Sequence, residues 1–276
     1  MYGNFGLEMT EKTLSMKGFQ TLINTTDTYD LVIMEQFFNE AYQGFAYRFN
    51  APFIIFSTIG SNQWLNHYVG NPAPPSFAPC LFLNYSSYMT FIQRLLNGFY
   101  ALYQDVYTNL YYLPMQNQLL QKYMPNSPHL TDIMYNVSLI FLNSHVSFKS
   151  PLPHMPNMIE IGGFHVKEAQ KLPKDLQEFM DDAKDGVVLF SMGSNARTAD
   201  LPIEKRESIL KAFAKLKAKV LWKWENESLP GLPKNVRQQK WIPQQSVLGT
   251  FVRNVHYLYQ RLIKATKVTF GLLTNL

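Results

Sequence analysis

Cysteine is almost missing from this chain. Of 276 residues only Cys80 is one, which excludes an internal disulfide framework and any CxxC metal site. A free, buried thiol is its expected state. Charge is sparse too, at 16% against 46% hydrophobic residues, so the chain can bury a core and is not disordered as a whole. Its length allows one large domain or two ordinary ones. No run approaches 18 uninterrupted apolar residues, so no segment is expected to span a bilayer. The opening MYGNFGLEMTEKTL has no basic region followed by an apolar stretch, so it is not expected to be a signal peptide. Acidic residues are missing from the last 27 positions, which carry Arg253, Arg261, Lys264 and Lys267. That tail supplies most of the net charge of +5. The remainder is nearly neutral and shows no basic cluster of the kind a nucleic-acid partner requires.

Four N-x-S/T sequons are present, at Asn24, Asn84, Asn136 and Asn226. Each alone is a weak pattern. Together, without a signal peptide, they imply a missing N-terminal segment. Along the chain, YDLVIMEQ (29–36) reads as a buried strand, FFNEAYQGFAYRFN as a helical stretch and APFIIFSTIG as a second strand. Strand, helix and strand within about 30 residues predict a βαβ unit with a parallel sheet. The proline-rich GNPAPPSFAPC (70–80) is a loop. Apolar residues at 88, 91, 92, 95, 99, 102, 103, 106 and 110 predict one long helix, started by Ser86 or Ser87, stopped before Pro114 and packed into a core. A lipid-facing helix is the alternative for that aromatic stripe. NVSLIFLNSH and NMIEIGGF add two strands, and the polar 162–185 stretch is the linker candidate, leading into a short capped helix. A second series follows: strand GVVLFSMGS, helix PIEKRESILKAFAKLK, strands KVLWKWE and VRQQKW, helix PQQSVLG.

Two stretches carry chemistry. GVVLFSMGSNARTADLP runs from a buried strand into a Ser/Gly turn, at the strand end where open α/β sheets bind ligands. Backbone N–H groups there suit a phosphate: Gly193 permits close approach, and Ser191 and Ser194 add hydroxyls. The alternative is a generic tight turn. In KWIPQQ, Trp241 closes a strand and Gln244 opens a helix. The indole can stack on a planar base and the amide can read a base or ribose; core filler is the alternative for the tryptophan.

FSMGSN, VLWKWE, LPGLPKNV and KWIPQQSVLG, in this order and spacing, resemble the donor half of the animal UDP-glycosyltransferases, the insect style of the group that includes UDP-glucuronosyltransferases. Upstream, YDLVIMEQFFNEA, NSHVSFKSPLPHMPNMIEIGGFHV and KLPKDLQEFMDDA resemble the same family, so the likeness covers about residues 10–249. It implies an α/β, GT-B-like fold of two Rossmann-like domains, the C-terminal one incomplete. Its parts are an acceptor-binding N-terminal domain over 1–162 lacking its first strands, a linker over 163–185, a partial UDP-sugar domain over 186–249 and a divergent tail over 250–276. The implied reaction is metal-free and cofactor-free. A hexosyl group, glucose or glucuronate, moves from UDP-sugar to a small lipophilic hydroxyl acceptor with inversion, a transfer suited to detoxification. A histidine base and an acidic partner activate the acceptor, and backbone donors stabilise the departing UDP.

Position by position, Gly193 and Ser194 are expected at the diphosphate, Trp241 on uracil, Gln244 at the nucleotide and Lys223 as the basic donor-site residue. Glu35 falls where the base-orienting acid belongs, although aspartate is usual there, and Asp30 is its runner-up. The family's base lies ahead of the matched text. None of His67, His129, His145, His154, His165 and His256 matches it, so each is read as structural. After Gly249 the family's His-Pro turn, Thr-His-Gly-Gly block and Asp-Gln pair do not follow, which implies a frame shift, retained intron or alternative exon. Loss of those strands removes burial that offsets chain entropy. The chain is therefore expected to be inactive, or else to act as a non-catalytic variant associating with intact family members as a homo- or hetero-oligomer. Family members reside in the endoplasmic reticulum by a leader and a membrane anchor, neither of which is read here.

Overall fold

The computed structural model describes residues 2–145, 147 and 152–250. They fall into two compact units, Met1–His165 and Val166–Leu276.

In the first unit, β1 (Val32–Glu35), β2 (Phe53–Ser57), β3 (Leu139–Leu142) and β4 (Met158–Glu160) form one sheet in sequence order. All three pairings are parallel, with Val32 opposite Phe53, Ile54 opposite Leu139 and Ile140 opposite Met158. The central strands read FIIFS and LIFL because a parallel sheet is covered on both faces; Phe53, Ile55, Ile140 and Leu142 lie in the core. β1 is an edge strand, with Ile33 exposed. The β1–β2 crossover contains a 3-10 turn (Glu40–Gln43) and α3 (Gly44–Arg48), and α4 (Gln63–Val69) follows β2. Asn62 caps α4 by accepting from the Leu65 N–H, and Gly70, at φ +64°, ends it in the left-handed conformation.

The predicted long helix differs from the observed one in three ways. It begins later: α5 (Phe91–Tyr107) is capped by Thr90, whose hydroxyl accepts from Gln93 N–H while Gln93 Oε1 accepts from Thr90 N–H. That reciprocal pair outcompetes Ser86 and Ser87. It also does not stop before Pro114. A π-helical turn (Thr108–Tyr112) leads straight into α6 (Leu113–Tyr123), with Pro114 in the first turn of α6, where a missing N–H is tolerated. Finally, the stripe is not core. Within α5 only Asn97 and Ala101 are buried, whereas Phe91, Ile92, Leu95, Leu96, Phe99 and Leu102 are exposed. Asn97 instead clamps the proline-rich loop, donating to the Pro75 and Ala78 carbonyls and accepting from Cys80 N–H. The Cys80 thiol is free and buried, and burial, followed by the Asp105 charge, pushes it up to about 11. α7 (Leu130–Met134) completes the cover, with Leu130 and Ile133 in the core.

Two helices were not read from the sequence, α1 (Tyr2–Ser15) and α2 (Lys17–Asn24). The buried face of α1 is Gly3, Gly6, Thr10 and Leu14, a helical spacing hidden by the small size of its first three members. A Cβ on Gly6 would stand 2.4 Å from Phe38 Cβ and 2.6 Å from its carbonyl oxygen. Glycine there lets the helix backbone lie directly on the loop after β1. A Lys122–Glu11 ion pair of 2.6 Å ties α1 to α6.

In the second unit, β5 (Val187–Phe190), β6 (Lys219–Lys223) and β7 (Val236–Gln239) form a parallel sheet in that order. α8 (Lys174–Asp181) lies inside the stretch expected to be linker and buries Leu176 and Met180 with Leu221, Ile242 and Val247. Those last two come from the approach to α10 (Gln244–Thr250) and from α10 itself. On the other side, α9 (Ile203–Ala214) contributes Phe213, which packs edge-on at 5.4 Å against both Phe190 and Trp222. Among the described residues no helix is long and apolar enough to cross a membrane. The tail from residue 251, with His256, lies outside the described residues.

Candidate functional site

The carboxyl edge of the second sheet brings two predicted stretches to one side. β5 and β7 both flank β6 and run parallel to it, so the turn after Phe190 and the segment after Gln239 emerge at the same edge, roughly 10 Å apart at two strand spacings. Gly193 has φ +83° with nothing within 4 Å of a would-be Cβ; the turn needs the left-handed conformation and stands open. Gly193 and Ser194 are exposed. The Ser191 hydroxyl accepts from Gly193 N–H at 3.2 Å. Trp241 is 74% exposed, which removes the core-filler reading; the buried fillers are its neighbours Trp222 and Trp224. Gln244 is the first, exposed residue of α10.

Lys223, expected as the basic donor-site residue, lies behind the Gly193 turn. Its ammonium donates to the Gly193 carbonyl at 3.0 Å and pairs with Glu225 Oε1 at 3.0 Å, with the two side chains 12% and 13% exposed. Glu225 Oε2 accepts from the Thr198 hydroxyl at 2.9 Å and from Ala199 N–H at 3.1 Å. Burial pushes the Glu225 carboxyl upward, but Lys223, Thr198 and the Ala199 N–H outweigh it and hold the group below its ordinary range. Lys223 thus fixes the turn from behind. Sequence reasoning missed Glu225 and Thr198. The readable signal was the i, i+2 spacing of Lys223 and Glu225, which puts both on one side of a strand end.

In the first unit, Glu35 is the last residue of β1 and is exposed, with its Oε1 accepting from the Thr58 hydroxyl at 3.0 Å. It sits at the end of a groove of about 480 Å3 along β1, walled by Tyr29, Met34, Tyr42 and Phe45. Asp30 precedes β1 and so lies at the amino end of the strand, opposite the ligand-binding edge, which removes it as the alternative acid. Three described histidines have partners of their own: His67 meets Asp105 at 3.1 Å, His129 meets Thr131 at 2.7 Å and His145 meets Ser147 at 2.6 Å. His165 lies edge-on to Phe164. Among the described residues no group of three or more His, Cys, Asp and Glu side chains could hold a metal ion.

A family model described as "UDP-glucoronosyl and UDP-glucosyl transferase" matches residues 11–253. The chain belongs to the UDP-glycosyltransferase family. Among curated relatives it is 39% identical to UDP-glucosyltransferase 2 of Dactylopius coccus, over 80% of this chain and 43% of that protein. It is 32% identical to human UDP-glucuronosyltransferase 2B10, over 73% of this chain and 38% of the relative. The chain thus spans less than half the length of these relatives. Among solved structures, spinosyn forosaminyltransferase SpnP and a UDP-glucosyltransferase from Polygonum tinctorium are each similar at 15% identity with a TM-score of 0.49. They cover 88% and 89% of this chain, and the chain covers 52% and 56% of them. In this chain α1 begins ahead of the family match, which opens at residue 11.

Proposed function

We propose that this UDP-glycosyltransferase holds the nucleotide of a UDP-sugar at the carboxyl edge of its second sheet. Trp241 stacks on uracil, Gln244 reads the nucleotide, and Gly193 and Ser194 meet the diphosphate. Lys223 positions the Gly193 turn. The observation that carries the reading is the arrival of the open Gly193 turn and the exposed Trp241 indole at one edge of a parallel sheet in a chain of this family. The first unit takes a small lipophilic hydroxyl acceptor, and Glu35 serves as the acid that orients a base. The Glu35 carboxylate accepts from the Thr58 hydroxyl; on this reading the chain binds the donor and does not complete hexosyl transfer. Titration calorimetry with UDP is the test. Binding is expected in the wild type and should be weakened at least about fivefold in Trp241→Ala; equal binding by both, or none by the wild type, refutes it. Turnover of UDP-glucose or UDP-glucuronate with a phenol would refute the inactivity.

A second reading, association with intact family members, is favoured by the open apolar face of α5. Light scattering of mixtures with a full-length relative tests it, and absence of a complex removes it. We also place the protein in the endoplasmic reticulum. All four sequon asparagines are exposed, so a chain expressed behind a secretory leader should gain glycosidase-sensitive mass; no gain argues against that location.

A further inference from the structure

The first unit contains a second feature that none of the residues assigned above touches. A cavity of about 160 Å3 lies between α1, the loop after β1, the start of α4 and the α5–π-turn junction. It is close to the roughly 150 Å3 that encloses a single benzene ring. Its wall is a continuous belt of aromatic rings running from Phe82 through Trp64, Phe38, Tyr112 and Tyr107 to Tyr103. Successive centroids are 6.0, 5.1, 6.2, 6.5 and 6.2 Å apart.

Into this belt the fold builds a carboxylate. Glu40 is 3% exposed, and it hydrogen-bonds Tyr112. Glu40 Oε2, Gln104 Oε1 and Trp64 Nε1, on three residues of the same wall, have no hydrogen-bond partner among the described residues. Buried polar atoms are rarely left unpaired, and three around one cavity mark a place completed by a ligand. Two of them are acceptors, so the ligand must bring donors. The aromatic belt and the Glu40 carboxylate together favour carrying those donors on a cation.

We propose that this cavity is a binding site for a small organic ammonium with a single-ring or short alkyl body, held in the aromatic belt with Glu40 as counter-ion and Gln104 as second acceptor. The site includes Gly3 of α1, which lies ahead of the residues matched to the family, and it stands whether or not the chain transfers a sugar. Without a ligand, burial raises the Glu40 carboxyl to about 7. The hydroxyls bearing on it, Tyr112 and Tyr68, are themselves pushed above their ordinary range by burial and by the Glu40 charge, so neither ionises in its place. A bound cation draws the proton off Glu40.

The test compares phenethylamine with 2-phenylethanol, its neutral analogue of similar shape, by titration calorimetry on the full chain. The amine is expected to bind at least about tenfold more tightly and to release about half a proton at pH 7, read from buffers of different ionisation heat. In Glu40→Gln the preference should fall to within about threefold and the proton release should vanish. Tyr103→Ala, at an exposed ring, keeps the test open if the first variant does not fold; it should weaken the amine more than the alcohol. Equal binding of the two compounds by the wild type, an amine preference that survives Glu40→Gln, or equal losses in Tyr103→Ala overturns the proposal.

Discussion

Glu40 also makes the stability of the first unit depend on pH in an unusual direction. Its carboxyl stands at about 7 in the fold against an ordinary 4.5, because burial disfavours the charge more than the bonds from Tyr112 and its own backbone N–H favour it. Between those values the folded chain keeps a proton that the unfolded chain has released, so stability falls as pH rises. Below about 4.5 both states are protonated and the difference is absent; above about 7 the loss is complete. At about 1.4 kcal/mol per pH unit the gap amounts to roughly 3 kcal/mol. Glu40→Gln removes the titration while keeping the shape. The variant should therefore gain on the wild type by that amount between pH 4.5 and 7.5, whatever fixed offset the amide brings. Native-state hydrogen exchange at the Ile55 and Ile140 amides, in the core of this unit, reports it without interference from the second unit. There the carboxyls of Asp175 and Asp182 are held down by Arg237 and Lys219 and act in the opposite sense. A wild-type-minus-variant difference that is flat with pH, or that grows in favour of the wild type, refutes the reasoning.

Lys223→Met should destabilise the second unit by about 2–4 kcal/mol in urea unfolding, because it strands a buried carboxylate; adding Glu225→Leu should recover much of that loss. Trp241→Ala should leave stability within about 0.5 kcal/mol, since the ring is mostly exposed, while weakening UDP by about 1–3 kcal/mol or more. Gly6→Ala should cost about 1–3 kcal/mol, as its methyl meets the Phe38 backbone, and thermal unfolding of the variant checks it.

β1, β2, β3, β5 and β6 were legible because each is a short run rich in β-branched and aromatic residues between polar breaks, and the parallel pairing of β1 with β2 followed from the helical stretch between them; β4 (MIE) and β7 (VRQQ) carry a weaker signal. What escaped had weaker or competing signals. The core face of α1 is written in Gly3, Gly6 and Thr10, residues that carry almost no hydropathy. The α5 stripe has the spacing of a buried face, but spacing cannot tell whether anything covers it; the observed helix is instead anchored by the polar Asn97. At the donor edge the sequence pointed to Gly193, Trp241 and Gln244 as residue types, yet the engagement of Lys223 depends on Glu225 and Thr198, which come from two separate connections, one after β6 and one after β5. Glu40 drew no notice in the sequence, because its burial is set by Trp64 and Tyr112 from distant elements.

The three hydrophobic clusters divide cleanly at one place in the chain: every core residue of the first lies at or before Met158, and those of the other two begin at Leu172. A genetic crossover between relatives at His165 and Val166 would part no pair of core side chains within a cluster. The seam is where evolution, or an engineer, can splice halves of different parentage while leaving each interior intact.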